Sequence, residues 1–319
     1  MVFENDSSVN DLMKKFRSAI NSSVIRYSIL VDSNRWYQLC SAMDCIEDTQ
    51  LSIEYYKNSN LPENNGGKYL FIYGLMQALI IQQDALRNLG EVLNFEINFS
   101  KNGNYSELYK IREKRHNSIG HPTKRSKYKN KKKEWKSTHS IIRTSMIKDG
   151  FEIRSKFPNE LKYDYYNLNE DIQVQNKIVK EILSDLISHI KNKERKIKMK
   201  YSSNKFINLF DNCLFNNYFA YMLEFFYGDN RQESMGKMGF KMLKEVCDKF
   251  QKKHKERYCS DEFINFDIYQ LLEIFNQWLD NKIQLNRWVM YFLTKQLKIE
   301  FYKLKKTAKD IDTEFAIDK

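Results

Sequence analysis

Residues 68–92 read KYLFIYGLMQALIIQQDALRNLGEV and decide the class of fold. The stretch is apolar on nearly every face of a helix and contains no proline, which predicts a long helix at the centre of a bundle. Its polar residues fall in a line, because Gln77 and Asp84 are seven residues apart and so share a face. Half-buried polar groups need partners, and we therefore expect this line to face another polar segment.

The polar segment that we expect opposite is residues 111–123, which read IREKRHNSIGHPT. It ends a helix predicted over 105–120, because Gly120 allows a left-handed turn and Pro122 stops a helix. His121 would then lie beside the negative end of the helix dipole, which favours a protonated imidazole.

Most of the remaining chain is predicted to be helical. Only three prolines and ten glycines occur in 319 residues, and both residue types are disfavoured inside helices. The charge run at 191–200 predicts a boundary between one domain at 1–195 and a helical domain of unassigned role at 200–319. Apolar residues recur at helical spacing over 8–30, 34–57, 169–193, 204–227, 232–256, 261–279 and 282–311.

An insertion at 121–156 interrupts the helices. Residues 124–136 hold eight lysines and arginines against one acid. So many like charges cannot be buried, which predicts a basic loop. β-Branched residues on both sides of the Asp-Gly pair at 149–150 predict a small β-hairpin. His139 is predicted to be an exposed histidine.

The composition points to a polyanionic partner. A net charge of +12 and a pI near 9.2 favour RNA, DNA or an anionic membrane surface. No long uncharged apolar run and no signal peptide occur, so we expect a cytoplasmic protein that does not insert into membranes. Five scattered cysteines suggest reduced thiols. Glycine-rich phosphate loops and metal-binding motifs are missing from the sequence, and it therefore predicts no cofactor and no metal.

The segment 111–123 offers the groups that metal-independent RNA cleavage needs. A histidine that titrates near neutral pH can transfer a proton, and Arg115 could hold a phosphate through paired hydrogen bonds. Cleavage through the 2′-hydroxyl requires a base, an acid and a cation beside the pentacoordinate phosphorus. On spacing alone, a structural role for Arg115 and His121 at a helix end is the commoner explanation.

The order Arg115, His116, His121 resembles the signature of the HEPN superfamily (higher eukaryotes and prokaryotes nucleotide-binding domains). In that signature an arginine is followed by a polar residue and, after four to six residues, by a histidine. The helix around Asp84 is similar to the neighbouring helix of this family, whose acidic residue often approaches the motif. A structural hydrogen bond from Asp84 to a neighbouring helix is as well supported by the sequence as a role in orienting Arg115 or His116. The resemblance covers residues 10–195. Arg112 precedes the usual gap by three residues and is interpreted as peripheral.

The resemblance implies an all-α fold, an antiparallel HEPN-like bundle, here with a small hairpin insertion and a C-terminal helical extension. It implies a metal-independent endoribonuclease of bacterial antiphage defence or a toxin. Arg115 and His121 would be catalytic, with His116 and Asp84 in support. The enzyme would act as a homodimer with a composite active site, with an antitoxin or defence-system protein as a further candidate partner.

A second hypothesis is a non-catalytic HEPN-like module that binds RNA or protein, or that dimerises, because a fold does not fix a function. In either case the basic segment is expected to contact RNA, with Tyr128 and Trp135 available for stacking. The candidate RNA-binding residues are Lys124, Arg125, Lys127, Lys129, Lys131, Lys132 and Lys133.

Overall fold

The structure is a computed structural model that describes residues 7–30, 32–120, 122–129, 132–210, 212–227, 233–258 and 266–317. These ranges contain ten α-helices and one four-stranded antiparallel sheet. The mostly helical class agrees with the prediction, whereas the β insertion is larger than the predicted hairpin.

The chain divides into two compact units. The first comprises Met1–Asn21 and Asp32–Lys191, and the second comprises Ser22–Val31 and Asn192–Lys319. The division after Lys191 falls inside a single long helix, α6 (Leu168–Tyr201). The first stretch of the second unit comes from within the predicted helix 8–30, which is in fact two helices separated at Asn21 and Ser22.

The first unit is built on helices whose ends carry recognisable caps. Ser8 and Asp11 form a reciprocal capping box before α1. Asn64 caps the start of α4, and Asn94 ends that helix in the left-handed conformation with φ 56°. Besides the first part of α6, the helices are α1 (Val9–Ile20), α3 (Ser33–Asn58), α4 (Asn65–Leu93) and α5 (Ser106–Arg115).

Helix α4 is the centre of this unit, as its all-round apolar sequence predicts, and it also carries buried amides. Gln83 donates to Gln175 of α6 at 2.9 Å, and Gln175 donates to Gln82 and to the Leu79 carbonyl, both at 3.0 Å. Gln82 in turn donates to Gln50 of α3 at 3.2 Å. This chain of hydrogen bonds supplies partners for buried polar groups, and it links α3, α4 and α6.

The sheet corrects the prediction for residues 121–156. The segment 124–136, predicted to be a loop, contributes one strand and the start of another, because a strand can pair its backbone without burying its charged side chains. The predicted turn is present, because Ile147 and Gly150 exchange backbone hydrogen bonds at 2.9 and 3.3 Å around Lys148 and Asp149. It joins the two central antiparallel strands of the sheet, and a 3₁₀ turn at Arg143–Ser145 interrupts the first arm of this hairpin. The strands, in spatial order, are β1 (Arg125–Lys129), β2 (Lys132–Ile141), β3 (Gly150–Phe157) and β4 (Glu160–Asn167).

The second unit has an aromatic core, including fully buried Phe206, Phe219 and Phe301. Buried Arg257 stacks 4.4 Å from the centre of the Phe206 ring and lies 3.5 Å from Asp312. Residues 261–265 of the predicted helix 261–279 lie outside the described ranges. The helices of this unit are α2 (Ser23–Leu30), the end of α6, α7 (Asn212–Tyr227), α8 (Glu233–Tyr258), α9 (Phe266–Leu279) and α10 (Arg287–Glu314).

Candidate active site

Helix α5 continues into a π-helical turn at His116–Gly120, a local geometry that is frequent at functional sites. The predicted left-handed turn at Gly120 is wrong, since no glycine in the described ranges has a positive φ. Gly120 instead leaves room for the Arg115 side chain. A Cβ atom at position 120 would lie 2.8 Å from Nη1 of Arg115 and 3.3 Å from Cδ2 of His116. The guanidinium of Arg115 therefore lies directly against Gly120.

The polar line of α4 does face α5, as the sequence predicts, but the pairing differs in one place. Arg115 donates from Nη2 to Oε1 of Gln77 at 2.8 Å. Asp84 pairs with Arg112 and, at 3.2 Å, with Arg87 of its own helix. Asp84 therefore makes the structural contact with a neighbouring helix that is one of its two expected roles, while Gln77 is the residue that orients Arg115. Arg112, interpreted as peripheral from the sequence, is thus part of the α4–α5 contact.

The cations around this segment differ in how their charge is balanced. Arg112 pairs with Asp84, and Lys114 lies 2.5 Å from Asp171. Arg125 makes two hydrogen bonds to the Glu113 carboxylate, at 2.8 and 3.2 Å. Arg115 is bound only by the neutral amide of Gln77 among these described contacts, and its buried Nε has no hydrogen-bond partner. Its charge is therefore not offset by a neighbouring carboxylate.

Glu113 contacts two of the predicted site residues, Arg125 and His116, although no sequence motif marks it. Burial raises the pKa of Glu113, but the hydrogen bonds and charge of Arg125, with a contribution from His116, outweigh burial and hold the pKa below its usual value. The ionised carboxylate lies 3.5 Å from Nδ1 of His116, whose side chain is 44% exposed. Its position three residues before His116 was the available signal.

Several predicted residues cannot be located. His121 and Lys131 lie outside the described ranges, as do the side chains of Lys127, Tyr128, Lys129, Lys132 and Lys133. Lys124 is exposed just before β1, and Trp135 is 38% exposed on β2. Arg125 also donates a hydrogen bond to Asn117 at 2.6 Å. Because it pairs with Glu113 as well, Arg125 joins the start of β1 to the segment that contains Glu113 and Asn117.

His139 is buried, not exposed as predicted, because it lies on the inner face of the sheet. Its Nε2 lies 2.8 Å from the Ser137 hydroxyl and its Nδ1 2.8 Å from that of Ser155. Burial lowers the pKa of His139, and the charges of Arg125 and Lys136 lower it further. The ring therefore links β2 and β3 as a neutral imidazole, while its backbone N–H donates to the Pro122 carbonyl at 2.7 Å.

An exposed apolar strip borders the Arg115 site. Tyr73 and Ile81 lie four residues before and after Gln77 on α4, and both are exposed. Leu70, one turn before Gly74, is 76% exposed. A groove of about 400 Å³ between α3 and α4 continues this surface, lined by residues that include Leu51, Tyr55 and Leu70. We call Leu70, Tyr73, Gly74 and Ile81 the α4 strip. Apolar patches of this kind mark contact surfaces.

Comparison with protein-family models, with curated proteins and with solved structures found no match to this chain. Across the described helices, none is long and apolar enough to cross a membrane. The same ranges contain no group of three or more His, Cys, Asp and Glu side chains that could hold a metal ion. Cys40, Cys45 and Cys247 form no disulfide bond.

Proposed function

We propose that this chain is an HEPN-like, metal-independent endoribonuclease in which Arg115 holds the scissile phosphate. The observation that carries the proposal is the neutral partner of Arg115. Neighbouring cations are paired with carboxylates, whereas Arg115 is oriented by an amide and keeps an unused buried Nε–H. A guanidinium prepared in this way can bind a phosphate with charge-assisted hydrogen bonds.

In the proposed reaction a base removes the proton of the RNA 2′-hydroxyl, and the 2′ oxygen bonds to phosphorus. Arg115 stabilises the charge on the pentacoordinate phosphorus. The bond to the 5′ oxygen breaks, that oxygen takes up a proton, and a 2′,3′-cyclic phosphate remains. His121 transfers protons in this scheme, and His116, whose Nδ1 faces Glu113, supports it. Asp84 acts indirectly, by tying Arg112 and thus α5 to α4.

A homodimer fits this proposal, because the α4 strip lies beside Gln77 and Arg115. A second copy packed on the strip would bring two Arg115 side chains to one interface and exclude water from both. Such a dimer would supply the second proton-transfer group that a single motif lacks.

The test is cleavage of a fluorescent single-stranded RNA in the presence of EDTA, with the ends analysed for 2′,3′-cyclic phosphate. Replacing Arg115 by Ala is expected to lower kcat/KM by ~10²-fold or more. Arg115→Lys should also be impaired, since an ammonium cannot make the paired contact. Arg143→Ala, which removes an exposed arginine, is the control and should cleave normally.

RNA that stays intact with the wild-type protein across a range of salt and pH would overturn the proposal. If the wild-type protein binds RNA without cleaving it, and Arg115→Ala binds RNA equally well, the chain is a non-catalytic binding module. Neutralising the lysines of 124–136 should weaken binding in either case.

A further inference from the structure

One face of the sheet is exposed and carries a row of apolar and aromatic side chains. Strand β4 is at the edge of the sheet, and its pairing with β3 is regular throughout. Leu161, Tyr163 and Tyr165 alternate along it, so they share a face, and they are 49%, 60% and 49% exposed. The opposite face is the buried one, with Phe151 and Ile153 of β3 fully covered.

Cations stand directly beside this row. Tyr163 pairs across the strands with Arg154, and Leu161 pairs with Lys156. Both cations are exposed, and strands lie about 4.8 Å apart, so their charges border the tyrosine rings. Two acids lie near Tyr165: Glu152 pairs with it across the strands, and burial, together with the charge of Asp149, raises the pKa of Tyr165. We call Arg154, Lys156, Leu161, Tyr163 and Tyr165 the outer sheet face.

Tyr165 packs against the backbone of Gly150. A Cβ atom at Gly150 would lie 2.8 Å from the Tyr165 hydroxyl oxygen and 2.9 Å from its Cζ. The ring therefore lies across the bare backbone of Gly150 on β3, where a side chain would block it. A ring packed in this way loses less side-chain entropy when a ligand binds to its exposed face.

We propose that the outer sheet face binds single-stranded RNA, with bases stacked on Tyr163 and Tyr165 and phosphates bound by Arg154 and Lys156. The proposal rests on the proposed function, in that the bound strand is the enzyme's substrate. Rings two residues apart on a strand are about 6.7 Å apart, and stacking on such rings tolerates any base. Unpaired bases are available for stacking, whereas a duplex hides them.

A protein strand added to the edge of β4 is the competing occupant. That mode depends on the free backbone groups of the edge and on pockets for alternate side chains. The other face of β4 carries the charged residues Glu160, Lys162 and Asp164, and charges of this kind hinder strand addition. The cations of β3 add nothing to backbone pairing but complement a phosphate chain. The charge pattern therefore favours RNA.

The experiment measures binding separately from cleavage. The probe is a fluorescent oligouridine with 2′-O-methyl groups, which 2′-hydroxyl attack cannot cleave, and fluorescence anisotropy gives the Kd for the full chain. The double variant Tyr163→Ala/Tyr165→Ala is expected to bind at least about tenfold more weakly. Tyr163→Phe/Tyr165→Phe keeps the rings and should bind like wild type. Tyr37→Ala, at a 72% exposed tyrosine of α3, is the matched control.

The charges are tested through salt dependence. Arg154→Gln/Lys156→Gln should reduce the slope of log affinity against log salt by about 1.4, the value for two phosphate contacts on a single strand. If the tyrosine-to-alanine variant fails to fold, the glutamine variant still tests whether RNA binds to the outer sheet face. A 2′-O-methyl duplex should bind without sensitivity to the tyrosines.

Unchanged affinity in the alanine variant, or an unchanged salt slope in the glutamine variant, overturns the outer sheet face as an RNA site. If the alanine variant loses affinity and the wild-type protein leaves unmodified RNA uncleaved, the outer sheet face is supported and the nuclease is refuted. If the wild-type protein cleaves RNA and the sheet variants bind the probe as tightly as wild type, the nuclease is supported and the outer sheet face is refuted. A wild-type chain that binds no single-stranded probe overturns the outer sheet face, whereas the nuclease is judged by cleavage of ordinary RNA alone.

Discussion

Arg115 is held by an amide, and this partner determines how much of its charge can act on a bound anion. A carboxylate at position 77 would pair with the guanidinium and compete with phosphate. Gln77→Glu is therefore expected to lower kcat/KM for RNA by roughly tenfold, the effect of ~1.4 kcal/mol, while the melting temperature stays the same or rises. Gln173→Glu on an exposed face of α6 should change neither quantity. A fully active Gln77→Glu enzyme would contradict a phosphate role for Arg115.

Gly120 affects the site because the Arg115 guanidinium lies directly against it. In Gly120→Ala the new methyl group would lie 2.8 Å from Nη1 of Arg115, so the guanidinium has to move away. Because φ is not positive at this residue, the backbone should accept alanine without strain. We expect lower cleavage with little change in the free energy of unfolding, measured by RNA cleavage and urea denaturation. Gly66→Ala, whose Cβ would make only an ordinary 3.5 Å contact, is the control. If Gly120→Ala loses stability in proportion to its loss of activity, the substitution acts by destabilising the fold and not by displacing Arg115.

At the scale of elements, the link between β2 and β3 predicts a dependence of stability on pH. Burial depresses the pKa of His139 in the folded chain, so between that pKa and the ordinary value of 6.5 the unfolded chain binds more protons. The contribution of neutral His139 to stability is therefore complete above about pH 6.5 and decreases as the pH falls below it. Urea unfolding of wild type and His139→Gln, at several pH values, should show a smaller loss on acidification in the variant. If the free energies of unfolding of wild type and variant fall by the same amount on acidification, His139 is not a source of the pH dependence.

The elements also show what the sequence can and cannot predict. Apolar periodicity alone located α3 and α4, since both bury regular faces. The sequence does not predict strand β1, because its charge pattern excludes burial and the sequence signals for a strand depend on a buried face. The sequence also leaves open which residue of the neighbouring helix pairs with Asp84. Arg112 and Arg115 are three residues apart on one face, and only the rotation and sliding of α5 against α4 decides which of them meets Asp84.

At the scale of the whole molecule, the proposed dimer would link assembly at the α4 strip to activity. Tyr73→Asp introduces a charge into the exposed apolar surface beside Gln77, and burying that charge in an interface would be costly. We expect the variant to be monomeric by light scattering at concentrations where wild type is dimeric, and to lose RNA cleavage in parallel. Tyr37→Asp places the same charge at another exposed tyrosine of the first unit and should remain dimeric and active.

Mixing two inactive variants separates a composite site from two independent sites. If Arg115 of one copy works with His121 of the other, Arg115→Ala mixed with His121→Ala should regain cleavage after the subunits exchange, because some mixed dimers then contain an intact combination. Adding Tyr73→Asp to both variants should abolish the recovery, since it prevents their association. A dimeric wild type with no recovery on mixing would mean that each chain carries its own site, and that the α4 strip serves assembly alone.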